Sequence, residues 1–303
     1  MKKKATKVGP AGKVRIGISG WRYIPWRGVF YPKKLTQKKE LAYASGIFRS
    51  IEINGTFYSL QRPEYFEAWA GETPDDFVFS VKGPKFITHV RRLADVETPV
   101  SNFMASGILC LGPKLGPILW QLPPNFRFDA EKLKAFLKIL PHDTESACEL
   151  ARHHDKFLKG RAAVVKSDAK RPLRHAIEVR HSSFAVPEFI EMLRAYDVAL
   201  VCADTVEWPR MMDVTSDFIY CRLHGSEVLY ASGYTDEALD QWAVRVSDWA
   251  LGVGGFRAAR VIQSCGPKLP SRDVFVYFDN DVKVRAPFDA KSLTERVDKL
   301  LAH

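Results

Sequence analysis

Short apolar or alternating runs recur along the chain, separated by helix-length segments with 3.6-residue periodicity. The strand-like runs are VRIGIS (14–19), SIEIN (50–54), FVFSVK (77–82), PILWQL (117–122), HAIEVR (175–180), VALVCAD (198–204), DFIYCRLHG (217–225) and DVFVYFDN (273–280). Helical patterns fall between most of them: TQKKELAYASGIF, PEYFEAWAGE, DAEKLKAFLKIL, VPEFIEMLRAYD and TDEALDQWAVRVSDWALG, with DAKSLTERVDKLLAH after the last strand. Alternating strand and helix predicts parallel strands joined by crossover helices. Eight such units predict an α/β fold closed into a TIM (β/α)8 barrel, a single domain over residues 14–303. The alternative is an open doubly wound sheet, but no Gly-rich phosphate fingerprint follows any strand. Residues 142–172 are long and charged for a barrel connection and predict an insertion between strands four and five.

Strand parity then sorts residues by face, because successive side chains point to opposite sides. The helix-facing set should be apolar, which turns Ile51, Ile53, Ile177, Val179, Cys221, Leu223, Val274, Val276 and Phe278 outward. Glu52, Asn54, Glu178, Arg180, Arg222, His224, Tyr277 and Asp279 then face the barrel interior. The same counting assigns Ser19, Lys82, Gln121 and Asp204 to the interior. The polar members sit at the C-terminal ends of their strands, where TIM-barrel active sites lie. A satisfied structural ion-pair network is the competing reading of so balanced a set of charges.

The loops at that end add aromatics and cations. GWRYIPWRGVFYP contributes Trp21, Tyr23 and Trp26, and IEINGTFYSL contributes Tyr58 beside Phe57. GPKFITHVRRL contributes Lys85, His89, Arg91 and Arg92, and Asn280 follows the last strand. Aromatics interleaved with cations stack sugars or bases and hold phosphates; a hydrophobic plug capping the barrel is the equal alternative for the first loop.

Composition narrows the classes. No apolar run approaches the ~20 residues that span a bilayer. The start MKKKATKVGPAGK is basic without the apolar core of a signal peptide, so residues 1–13 read as a disordered basic tail. Five cysteines, none in CxxC spacing, argue against a disulfide framework or zinc site and fit a reducing cytoplasm. The formal net charge of +10 favours anionic partners, small molecule or nucleic acid.

The blocks GISGWRYIPWRGVFYP, IEINGTFY, FVFSVKGPKFITHVRRL, LGPILWQLPPNF, IEVRHSSF, YCRLHG and VYFDND…APFDA together resemble the DUF72, or YecE-like, family over roughly residues 14 to 300. The resemblance implies a TIM barrel and supplies no established activity, cofactor or catalytic residue. Two features depart from the family pattern: the longer 142–172 connection, and Arg285 where many relatives carry a histidine.

Three functions follow as expectations. The first is an enzyme acting on an anionic, phosphate-bearing substrate at the barrel mouth. There Glu52, Glu178, Asp204, His224 and Asp279 supply acid–base chemistry, and Lys82, Arg180 and Arg222 neutralise charge. Trp21, Tyr23, Trp26, Asn54, Tyr58, His89, Gln121 and Asn280 complete the binding set. A divalent metal in that site would draw on Glu52, Glu178, Asp204, Asp279, His89 and His224. The second is a non-catalytic nucleic-acid-binding module using the basic tail, HVRRL and the insertion. The third is a glycosidase-like hydrolase using paired carboxylates such as Glu52 and Glu178.

Overall fold

A parallel strand pair needs a crossover of a dozen or more residues, and repeated right-handed crossovers curl the sheet until it meets itself. The computed structural model describes residues 10–158, 163–225, 229, 232–253, 259–264, 266–281 and 283–302. Its strands are β1 (Val14–Ser19), β2 (Ser50–Ile53), β3 (Val78–Lys82), β4 (Leu115–Gln121), β5 (His175–Glu178), β6 (Val198–Asp204), β7 (Phe218–Leu223) and β8 (Asp273–Phe278). They follow one another round a closed barrel in sequence order, and β8 pairs in parallel with β1. The basic tail lies outside the described residues up to position 9.

The described α-helices are α1 (Glu40–Ser45), α2 (Gly55–Tyr58), α3 (Pro63–Gly71), α4 (Glu97–Ala105), α5 (Ala130–Lys138), α6 (Thr144–Ala151), α7 (Pro187–Ala195), α8 (Asp236–Ala250) and α9 (Ala286–Leu301). None is long and apolar enough to cross a membrane. Helix α5 shows how local sequence sets a boundary: Asp129 accepts the Lys132 backbone N–H at 3.0 Å and so caps the first turn. Two elements differ from the periodicity. Helix α4 was not expected, because its buried face carries Ser101 and Asn102, which break the apolar stripe. Asn102 donates to Asp155 at 3.0 Å, so it is satisfied by the 142–172 segment. No helix joins β6 to β7; residues 205–217 cross as irregular chain.

The 142–172 segment is clasped at its base. Asp143 bridges Pro172 in antiparallel fashion, and the Thr144 hydroxyl donates to the Ala169 carbonyl at 2.7 Å. Between these points α6 packs on α4.

Burial divides into an outer shell between barrel and helices and a smaller interior cluster. The interior cluster is Val78, Leu119, Ala176, Ala199, Val201, Phe218, Tyr220, Phe275 and Tyr277. Small Ala176 and Ala199 on β5 and β6 leave room for the large Tyr220 and Tyr277 on β7 and β8, the size complementarity a closed interior needs. This packing fills the middle of the barrel below the polar residues at its C-terminal end.

Candidate active site

A layer of hydroxyls floors the site. Tyr277 and Ser50 share a hydrogen bond of 2.6 Å, and Tyr220 and Ser80 share one of 2.7 Å. Tyr220 also bonds Glu52 Oε2 at 2.6 Å, which joins the floor to the charged layer above. Ser19, Glu52 and Ser80 lie in register across β1, β2 and β3, so their inward side chains meet by strand pairing alone.

Arg222 is the centre of the charged layer and is fully buried, at 0% exposure. Its Nη1 donates to Glu178 Oε2 at 2.8 Å, and its Nη2 donates to Glu52 Oε1 at 3.0 Å and to Asp279 Oδ2 at 2.8 Å. Nε adds a bond to Glu52 Oε2 at 3.2 Å. Such a buried guanidinium persists only because its rigid fork finds a carboxylate in each direction. Glu178 is further engaged by Arg180 Nε at 2.7 Å and by Gln121 Nε2 at 3.1 Å. Burial alone would raise the Glu178 carboxyl, but Arg180 and Arg222 hold it well below the ordinary range. Burial likewise opposes ionisation of Asp279, and Arg222 and His224 bring it down to about 2. His224 Nδ1 lies 3.2 Å from Asp279 Oδ2 and its Nε2 3.9 Å from Glu178.

The guanidinium therefore occupies the space among the three carboxylates where a divalent cation would bind. Among the described residues, no three His, Cys, Asp or Glu side chains form a ligand group. Likewise, Glu52 and Glu178 share one arginine, so neither carboxyl stands open.

Lys82 differs from the other cations. It is 8% exposed, with Nζ 4.4 Å from the Phe57 ring centroid; its carbonyl accepts from the Thr56 hydroxyl at 2.6 Å, but its ammonium makes no hydrogen bond or ion pair to the described residues. Burial, reinforced by Arg222 and opposed by the carboxylates, lowers its ammonium to about 8. Around it stand His89, in edge contact with Phe57 at 5.0 Å, and Tyr58, exposed by 69%. Burial and the Lys82 charge push the His89 imidazolium down to about 4, so it is neutral near pH 7. His89 lies on the π-helical turn Phe86–Val90, and Arg92, Leu93 and Asp95 just beyond it all hold positive φ. A non-glycine cluster of that kind is backbone strain held by its surroundings: Arg92 is pinned by two 3.0 Å bonds to Asn125.

Several site expectations are corrected. Asp204 faces outward, in register with Leu223. Its carboxylate accepts from Trp242 of α8 at 3.1 Å and from Arg210 at 3.0 Å. Alternation in β6 runs Val198, Leu200, Cys202, Asp204 on the helix side, and apolar residues on both faces hid this from the sequence. Arg222 is enclosed by its own carboxylates rather than open to a substrate. Trp21 packs at 5.3 Å edge-on to Trp69 in the outer shell, and Trp26 is fully buried against Tyr23, Phe30 and Tyr31. Both are plug residues. Asn280 also turns outward, donating to Asp289 at 2.8 Å and to the Ser232 carbonyl at 2.9 Å. Asn54 leaves the strand in helical conformation at the start of α2, partly buried, and Gln121 is committed to Glu178.

Four contributors were missed: Gly20, Asp281, Trp208 and Tyr220. Gly20, at φ +85°, turns the chain so that Tyr23 bends back and its hydroxyl donates to the Ser19 carbonyl. There Tyr23 adjoins Asp281, whose carboxyl is raised well above the ordinary range by burial and by the charge of Asp279. Asp281 shares the parity of Asp279 two residues on, a signal present in FDND. Trp208, from the helix-free link, lays its ring 3.8 Å from the Arg180 guanidinium and its edge toward His224 at 5.5 Å. Nothing in a lone Trp within an irregular link marked it. Tyr220 had the parity of Arg222 and was legible.

A family model described as "Protein of unknown function DUF72" matches residues 15–302. The protein YecE of Escherichia coli K12 is 31% identical over 148 residues, which is 48% of this chain and 51% of that protein. The chain thus spans about half the length of YecE in that match. YunF of Bacillus subtilis strain 168 is 25% identical over 317 residues, covering 94% of this chain and 95% of YunF. Among solved structures, a DUF72 family protein from Thermotoga maritima superposes with a TM-score of 0.69 at 24% identity, over 96% of this chain and all of that one, 100%. One from Enterococcus faecalis gives 0.65 at 17%, over 94% and 95% of the two chains. Both show the same fold, and with the family-model match they lead to one conclusion: this chain belongs to the DUF72 family.

Proposed function

We propose that the C-terminal mouth of the barrel is the active site of an enzyme that takes an anionic, phosphate-bearing small molecule. The observation that carries this reading is Lys82. It is the buried cation of the mouth with no counter-ion among the described residues, while Arg222 and Arg180 each hold carboxylates. A buried ammonium left without an anion is costly, and a substrate phosphate or carboxylate would relieve that cost. Two groups stand ready to move protons. Burial and the charge of Asp279 raise the Asp281 carboxyl well above the ordinary range, and His224 lies against Asp279. Tyr58 and Phe57 form an aromatic wall for the rest of the ligand.

The competing readings have less support. Sharing of one guanidinium by Glu52 and Glu178 weighs against the paired-carboxylate glycosidase. The nucleic-acid module needs an open basic surface. Yet Arg91 pairs with Asp95, Arg152 with Glu149, Arg171 with Asp168 and Lys170 with Glu145. The test is a thermal-shift screen of phosphorylated and carboxylated small molecules against the wild type and Lys82→Met. The expected result is stabilisation of the wild type by at least one anion and its loss in the variant. Equal shifts in both proteins would contradict the reading.

A further inference from the structure

We propose that Lys82 is a nucleophilic amine that condenses with the carbonyl carbon of an anionic aldehyde or ketone and holds it as an imine in the barrel mouth. This rests on the reading of the mouth as an anion-accepting site. A lysine that only balances charge sits beside a carboxylate or reaches water. Lys82 sits beside no carboxylate at ion-pair distance among the described residues and is only 8% exposed, facing the Phe57 ring at 4.4 Å. The neighbouring carboxylates that would otherwise hold it protonated are taken up by Arg222, through Glu52, Glu178 and Asp279. Desolvation beside a second cation, here Arg222, is how an amine is kept partly neutral and nucleophilic.

The two protonation states divide the work. The ammonium draws the anion into the mouth, and the neutral amine attacks. With the ammonium lowered to about 8, roughly a quarter of Lys82 is neutral at pH 7.5, against about one in a thousand for an ordinary lysine. In the step itself, the amine lone pair forms a C–N bond and the carbonyl π pair moves to oxygen. That oxygen takes up the amine proton to give a carbinolamine. The hydroxyl then gains a second proton from solvent, the C–O bond breaks and water leaves. Nothing is oxidised or reduced. The product is a protonated imine, which restores the positive charge the mouth holds when Lys82 is an ammonium. Lys85, on the following loop with Nζ 5.4 Å from the Tyr58 ring, is the rim cation left for the substrate's anionic group.

The test uses the whole protein and pyridoxal 5′-phosphate, an anionic aldehyde, at pH 7.5. Sodium borohydride reduces any imine to a stable amine, and peptide mass spectrometry locates it. The expected result is an adduct at Lys82 forming at least about tenfold faster than at the other lysines, slowed by inorganic phosphate. The rate should rise with pH to a midpoint near 8. Lys82→Arg should keep phosphate binding and lose the adduct. If phosphate binding depends on Lys82 but Lys82 labels no faster than surface lysines, the imine is overturned and the anion site stands. If phosphate neither binds nor protects, both readings fall.

Discussion

Lys82 and Arg222 are both buried cations, and they carry opposite consequences for stability. Arg222 is matched on every side, so losing it strands Glu52, Glu178 and Asp279 in a dry interior. Arg222→Met should cost about 3–5 kcal/mol in chemical denaturation, the usual penalty for breaking a buried pair. Arg222→Lys should recover little of this, because one ammonium cannot reach three carboxylates at the angles of a planar fork. Lys82 has no such match. Its ammonium is lowered to about 8 by folding, so below that pH the native state carries a buried charge that the unfolded chain hydrates. The linkage sign follows: stability rises as pH climbs from about 8 toward the unfolded value near 10.4. At pH 7, Lys82→Met should therefore raise stability by about 1–3 kcal/mol, seen as a higher Tm, while removing anion binding. A residue that destabilises the fold and is needed by the ligand is the signature of a working site. A fall in Tm for Lys82→Met would point to a structural role instead.

At the scale of elements, parity was a sound guide only where a strand's two faces differ. In β2, β5, β7 and β8, apolar outward residues alternate with polar inward ones, so Glu52, Glu178, Arg222 and Asp279 were legible. In β6 both faces are apolar, and Asp204 fell on the side that parity did not announce. Its true partners, Trp242 on α8 and Arg210 on the β6–β7 link, are distant in sequence and carry no local signal. Asp204→Asn should therefore cost about 1–3 kcal/mol in unfolding free energy through the bonds to Trp242 and Arg210. Calorimetric phosphate binding should stay within about twofold of wild type, since a barrel-mouth ligand never meets this carboxylate. In the first loop, where ligand wall and plug were equal readings, burial divides the aromatics: Trp21 and Trp26 plug the outer shell, and Tyr23 reaches the mouth. The strain at Arg92, Leu93 and Asp95 had no sequence mark, because none of these is glycine.

For the whole molecule, the barrel gathers one compact charge network and leaves it dependent on pH. Asp279 is ionised down to about 2 in the fold and to about 4 when unfolded, and Glu178 is displaced in the same direction. Asp279 contributes stability that is present above about pH 4 and lost as pH falls toward 2, and Glu178 contributes in the same sense. Acid unfolding monitored by circular dichroism should be steep in that window and shallower in Asp279→Asn. Charge also bears on partners. The excess of basic residues favours anions. The most direct measurement is a calorimetric titration of inorganic phosphate into the wild type and Lys82→Met at low ionic strength. Saturable binding at one site, weakened at least about tenfold (about 1.4 kcal/mol) by the substitution, is the predicted result. Absence of binding, or equal affinity in the two proteins, would contradict the assignment of the barrel mouth as an anion-accepting active site.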